Sequence, residues 1–159
     1  MTIKFTHTNI IAKDWKKLSL FYQEVFGCVP VPPERDIQGD WIDRMTGIRG
    51  VHIRGEHLRL PGYEDKLPTL EIFSFDDWAD GGLSQINRTG FGHIAFEVDD
   101  VTALLEKLLA AGGGQLGEQI VADYPNNVLA TFVYATDPEG NIVELQNWGT
   151  RSDSSARHA

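Results

Sequence analysis

Cysteine is nearly absent from this chain of 159 residues, where Cys28 stands alone. A single cysteine excludes an intramolecular disulfide and any multi-cysteine metal site. It follows Gly27 in an apolar stretch and reads as a buried structural thiol rather than a nucleophile. Positive charge is also scarce, with 14 Lys and Arg against 23 Asp and Glu and a net charge of -9. That balance excludes the basic footprint that nucleic acids and anionic membranes require of a partner. Long hydrophobic runs are missing too, none approaching the roughly 18 residues of a membrane span. The opening Met-Thr-Ile-Lys-Phe-Thr-His has no signal-peptide core, so a cytoplasmic protein is the expectation. What is present, 42% hydrophobic and 23% charged residues, is ordinary for a soluble globular domain.

Within that composition the chain nearly repeats itself. His7 opens a segment that reaches Asp14, continues as a helical run from Trp15 to Phe26 and stops at Gly27. His93 opens a second that reaches Asp100, continues from Val101 to Ala111 and stops at Gly112. In both, an Asp stands seven residues after the His. Each half closes on an apolar strand interrupted by a glutamate, Leu70-Glu71-Ile72-Phe73 and Val143-Glu144-Leu145-Gln146. An unpaired carboxylate in such a strand costs several kcal/mol, so each needs a partner. The doubling suggests two structural copies, each giving one His and one Glu to a shared divalent-metal site.

Period-two alternation predicts strands over Phe5–Ile11, Thr69–Phe75 and Phe91–Val98, with others near 119–122, 129–135 and 141–146. Asp14 and Asp100 (or Asp99) are expected N-caps, and Trp15, Leu18, Phe21, Tyr22 and Val25 the apolar stripe by which the first helix packs on a sheet. Val29 to Pro33 is extended, Asp40 to Met45 a short helix or turn, and Val51–Leu60 a hairpin about Gly55-Glu56. On that hairpin His52, His57, Arg54 and Arg59 read as a solvated face. Residues 76–86 link the halves. The separation from His to Glu is 64 residues in the first half and 51 in the second, which places an insertion in the irregular 34–68 stretch. The organisation expected is one domain over 1–148, with modules at about 3–78 and 89–148. A disordered polar tail is expected over 149–159.

Three stretches together resemble the vicinal oxygen chelate superfamily, the glyoxalase I, bleomycin-resistance and dioxygenase type. They are His7 through Gly27, Gly92-His93-Ile94-Ala95-Phe96, and Asp137-Pro138-Glu139-Gly140-Asn141-Ile142-Val143-Glu144-Leu145. The resemblance covers nearly all of residues 3–148. It implies an α+β fold of two βαβββ modules whose sheets curl around a metal cleft. It also implies that His7, Glu71, His93 and Glu144 are the protein ligands of one divalent ion (Zn, Ni, Co, Mn or Fe), and that the protein is a homodimer.

Two imidazoles and two carboxylates suit such an ion with positions left open for a substrate's adjacent oxygens. The chemistry expected is that of a metal-dependent lyase or isomerase of glyoxalase I or epimerase type. The ion stabilises an enediolate while a carboxylate, Glu144 first and Glu71 second, moves the proton next to a carbonyl. Alternation puts Phe5, Asn9, Ile11, Thr69, Phe73, Phe91, Ala95, Ile142, Gln146 and Trp148 on the metal-facing side. Of these, Asn9, Phe73, Gln146 and Trp148 are the expected contacts to a small organic substrate. Two alternatives stay open: a small-molecule-binding protein of the bleomycin-resistance type, and an Fe(II) extradiol-type dioxygenase.

Overall fold

The computed structural model describes residues 2–64, 68–79, 81–82 and 84–150. The chain divides into two compact units, residues 1–81 and 82–159, and the boundary falls within the segment read as a link.

Unit 1 runs β1 (His7–Ile11), α1 (Trp15–Phe26), β2 (Val29–Gln38), α2 (Asp40–Thr46), β3 (His52–Arg59) and β4 (Thr69–Phe75). Its four strands form one sheet in the order β1-β4-β3-β2, with β1 parallel to β4 and the other pairs antiparallel. Unit 2 repeats the plan with β5 (Ile94–Glu97), α3 (Val101–Ala110), β6 (Gly114–Tyr124), β7 (Val128–Thr136) and β8 (Ile142–Thr150). Its sheet order is β5-β8-β7-β6, again with the first and last strands parallel. These are the two βαβββ modules of the expected α+β fold.

The helices begin and end where local chemistry dictates. The Asp14 carboxylate accepts from the Lys17 amide, and that of Asp100 accepts from Ala103. Each satisfies an amide that the first helical turn would otherwise leave open. Gly27 takes a left-handed conformation at φ 71°, and the Gly27 and Cys28 amides return to the Gln23 and Tyr22 carbonyls. Leu18, Phe21, Tyr22 and Val25 are buried on one stripe of α1. Each contributes about 1.5–3 kcal/mol, an upper estimate. In β3 and β4 the fully buried Leu58, Leu70 and Ile72 alternate with His57 and Glu71. One sheet face is therefore the core under α1, and the opposite face carries the polar residues. In unit 2, Val133, Ala135, Val143 and Leu145 are the buried face of the sheet against which α3 packs.

Several expectations need correction. Residues 52–59 are one continuous strand, not a hairpin. Gly55 marks a close approach rather than a turn, since a Cβ there would meet the Ile72 carbonyl oxygen and the Phe73 ring and backbone. The strands expected from Phe5 and Phe91 start at His7 and Ile94, because the parallel ladders begin at His7–Thr69 and Ile94–Val143. Strand β2 continues past the prolines to Gln38 through an irregularity between Val31 and Arg35. Proline, which has no N–H to donate, is tolerated there because β2 is an edge strand. The insertion in the first half includes α2, whose Ile42 packs on Val51 and Ile53. The C-terminal strand runs to Thr150, so Gly149 and Thr150 are strand rather than tail. The remaining expected tail, 151–159, lies outside the described residues. Among the described residues no helix is long and apolar enough to cross a membrane.

Candidate functional site

Strand pairing places each histidine beside its glutamate. In unit 1, β1 lies along β4 with His7 opposite Thr69 and Asn9 opposite Glu71. His7 Nδ1 comes within 3.2 Å of Glu71 Oε1, and Asn9 Nδ2 donates to Glu71 Oε2 at 3.4 Å. In unit 2, β5 lies along β8 with Ala95 opposite Glu144, and His93 immediately precedes β5. His93 Nε2 is 3.1 Å from Glu144 Oε2. The same imidazole–carboxylate pair therefore forms at the same place in both modules.

The two pairs differ in their surroundings. Glu71 is only 7% exposed. His57, directly opposite it on β3, brings Nε2 to 3.2 Å from the same Oε1 that His7 approaches. A nearly buried carboxylate thus sits between two imidazoles and an amide, with no Lys or Arg beside it among the described residues. Burial pushes the His57 pKa below the ordinary imidazole value. The Glu71 charge opposes that shift, while Arg35 and His7 add to it. Thr69, two residues from Glu71 on the same face, is buried with its Oγ1 lacking any hydrogen-bond partner. Among the described residues Glu144 has His93 as its one polar partner, and the residue opposite it on β7 is Tyr134, whose ring meets His93 edge-on at 5.2 Å.

Of the expected substrate contacts, Asn9 is bound to Glu71. Phe73 packs against the Ile42, Val51 and Ile53 cluster and meets His57 edge-on at 5.7 Å. Gln146 and Trp148 are tied to each other, the indole Nε1 donating to Gln146 Oε1 at 3.0 Å. Trp148 also touches Tyr124 and Phe132, with ring centroids 5.0 and 5.4 Å away.

Sequence reasoning missed His57, which the presumed hairpin had assigned to solvent. Reading the alternation straight through Gly55 would have put it on the face of Glu71. His52 and Arg54 are not merely solvated either: His52 reaches Asp36 and Asp76 at 2.6 and 3.3 Å, and Arg54 binds Asp76 at 2.6 Å. Among the described residues no group of three or more His, Cys, Asp or Glu is arranged to hold a metal ion. His7 and His57 each bring a ring nitrogen to 3.2 Å from one oxygen of Glu71.

Two βαβββ modules, each with a His–Glu pair on matching strands, define the class of protein. The chain belongs to the Glyoxalase/Bleomycin resistance protein/Dioxygenase superfamily, whose profile matches residues 4–145. It is 26% identical over 152 residues to the lactoylglutathione lyase of Haemophilus influenzae, a match spanning 94% of this chain and 97% of that one. A probable lactoylglutathione lyase of Vibrio parahaemolyticus is also 26% identical, over 89% of this chain and 88% of its own. Among solved structures, a glyoxalase family protein from Bacillus cereus superposes with a TM-score of 0.77 at 19% identity, over 93% of this chain and 95% of that one. The fosfomycin resistance protein FosX of Listeria monocytogenes, complexed with Mn(II) and sulfate, gives 0.52 at 18% identity, over 98% and 99%. At these identities the structural likenesses establish the fold.

Proposed function

We propose that this chain is a divalent-metal-dependent lyase or isomerase that moves a proton next to a carbonyl, of the glyoxalase I or epimerase type. The observation that carries this reading is the His–Glu pair repeated in both modules, at 3.2 and 3.1 Å. The donors proposed are His7, Glu71, His93 and Glu144. The donor chemistry fits an ion. Among the described residues Glu71 is nearly buried with no Lys or Arg ion pair, and the orphaned Thr69 Oγ1 lies on the same face. The curated relatives, both named as lactoylglutathione lyases, support the same class, and the Mn(II)-bound FosX supports a divalent ion. When bound, the ion supplies Lewis acidity that eases removal of a proton next to a carbonyl oxygen it holds.

Glu144 is proposed as the base and Glu71 as the fixed partner. A base needs an oxygen lone pair that is not already committed and room to move. Glu71 is held by His7, His57 and Asn9, whereas among the described residues His93 alone approaches Glu144. Glu144 would take the proton from carbon and return it to the product, so the carboxyl ends each turnover ionised. Asn9 orients Glu71, and Gln146 offers an amide to the substrate. We propose a cytoplasmic homodimer. In support, β1 and β5 are edge strands of their sheets, and the half-exposed Ile11 of β1 is apolar. Such edges are templates for pairing with another chain.

Elemental analysis of the purified protein and its His93→Ala variant tests the proposal. About one equivalent of Ni, Zn, Co or Mn, lost in the variant, is the expected result. Absence of metal after reconstitution would overturn the catalytic reading and leave a binding protein. Stoichiometric iron with O2 consumption would move it to the dioxygenases.

A further inference from the structure

The open face of the sheet in unit 2 carries an apolar platform beside Glu144. Alternation puts Glu144, Gln146 and Trp148 of β8 on that face, opposite Tyr134, Phe132 and Ala130 of β7. Tyr124 at the end of β6 joins them, and Tyr124, Phe132 and Trp148 lie within 5.0–6.4 Å of one another, centroid to centroid. The small side chains of Ala122 and Ala130, in register beside Trp148, leave the indole room to lean toward the other rings. Its N–H is fixed on Gln146 Oε1, and the Gln146 NH2 makes no other hydrogen bond among the described residues. Despite these mutual contacts, Tyr124 remains 43% and Trp148 41% exposed, and Ile120 beside Phe132 is 51% exposed.

The charge pattern is equally informative. None of the four strands β5, β6, β7 and β8 contains a Lys or Arg. The carboxylates of a peptide thiol or the phosphates of a coenzyme thioester would find no cation on this sheet. The three rings meet one another edge-on or tilted and present a wall of aromatic surface. A wall of ring faces and edges favours flat apolar groups through stacking and area burial.

We infer that the platform formed by Tyr124, Phe132 and Trp148 selects substrates bearing an aryl or similarly flat apolar substituent on the carbonyl unit. This rests on the proposed function for the reactive end and adds the class of the group attached to it. The Phe132–Gln146 rung is one side-chain repeat from Glu144, about 7 Å along the strand, and the Trp148 rung about 13 Å. A phenyl group therefore reaches the first ring, and a fused bicyclic group reaches further onto the platform.

The test is a ligand-observed NMR titration of the full chain, both metal-loaded and metal-free. The probes are hydroxyacetone, 2-hydroxyacetophenone and the naphthyl analogue, which share the same adjacent oxygens. Affinity should rise at least tenfold from methyl to phenyl and again toward naphthyl. The gain from methyl to phenyl should vanish in Phe132→Ala, the further gain toward naphthyl should vanish in Trp148→Ala and survive in Trp148→Phe, and both should persist without metal because the platform needs none. Equal affinity for the three probes, or binding of none in either state, overturns this inference. Failure to take up metal with the aryl preference retained overturns the metal reading and leaves this one standing. If Trp148→Ala shifts the sedimentation coefficient toward a smaller species and no aryl preference exists, the wall is an interface between copies and the inference falls.

Discussion

Gly55 is the position where a single methyl group tests how the first sheet holds its polar face together. A Cβ at Gly55 would run into the Ile72 carbonyl oxygen and the Phe73 ring, and would come to 2.8 Å from Phe73 Cα. Two of those three obstacles are backbone atoms, so a rotamer change cannot relieve the clash and β3 must separate from β4. Overpacking of this kind costs about 1–3 kcal/mol, and each ladder hydrogen bond weakened adds about 0.5–1.5 kcal/mol. Gly55→Ala should therefore lose about 3 kcal/mol, which at ~2–4 °C per kcal/mol lowers Tm by about 6–12 °C. Gly149→Ala is the control: it too lies in a strand, but its Cβ would meet nothing within 4 Å. That variant should stay within about 0.5 kcal/mol of the parent. Urea titrations followed by circular dichroism give both numbers. The same separation would carry His57 away from Glu71, so affinity for the proposed ion should fall along with stability. If Gly55→Ala unfolds within about 0.5 kcal/mol of the parent, the close approach is wrong and with it the continuous strand that brings His57 to Glu71.

Two further outcomes follow from buried groups. The Asp137 carboxylate, 2% exposed, accepts from the Glu139 and Asn141 amides and from the Asn141 side chain. Asp137→Ala leaves two turn amides without an acceptor and should cost about 2–4 kcal/mol in chemical denaturation, whereas Asp137→Asn retains one oxygen and should cost less. Burial pushes the Cys28 thiol up to about 12, so native protein should not react with an aromatic disulfide reagent until unfolded. Because the folded state keeps a proton that the unfolded state loses near pH 9.0, this group's contribution is complete below that pH. It then declines as pH rises from 9 toward 12. Cys28→Ala should flatten that part of the stability curve.

What could be read in the sequence was local. Asp14, Gly27 and Asp100 carry their capping chemistry in the residue itself, and the apolar stripe of α1 declares its buried face within four turns. The glutamates were legible because a carboxylate interrupting an apolar strand is costly unless it has a partner. What escaped was set by partners far away in the chain. Gly55 looks like a turn until Ile72 and Phe73 are laid beside it. The three prolines of β2 look like an irregular segment until that strand proves to be an edge. The wall of Tyr124, Phe132 and Trp148 is assembled from three strands, and no periodicity within any one of them announces it. The repeat offered one route past this limit. Once β3 is matched with β7, His57 and Tyr134 fall at equivalent positions, each directly opposite its module's glutamate. Divergence at that position, together with Asn9 on β1 against Ala95 on β5, distinguishes the two sites. The imidazole brings a second ring nitrogen to within 3.2 Å of one oxygen of Glu71. The phenol contributes a ring against His93 and, among the described residues, leaves Glu144 with one polar partner, which suits the base proposed above.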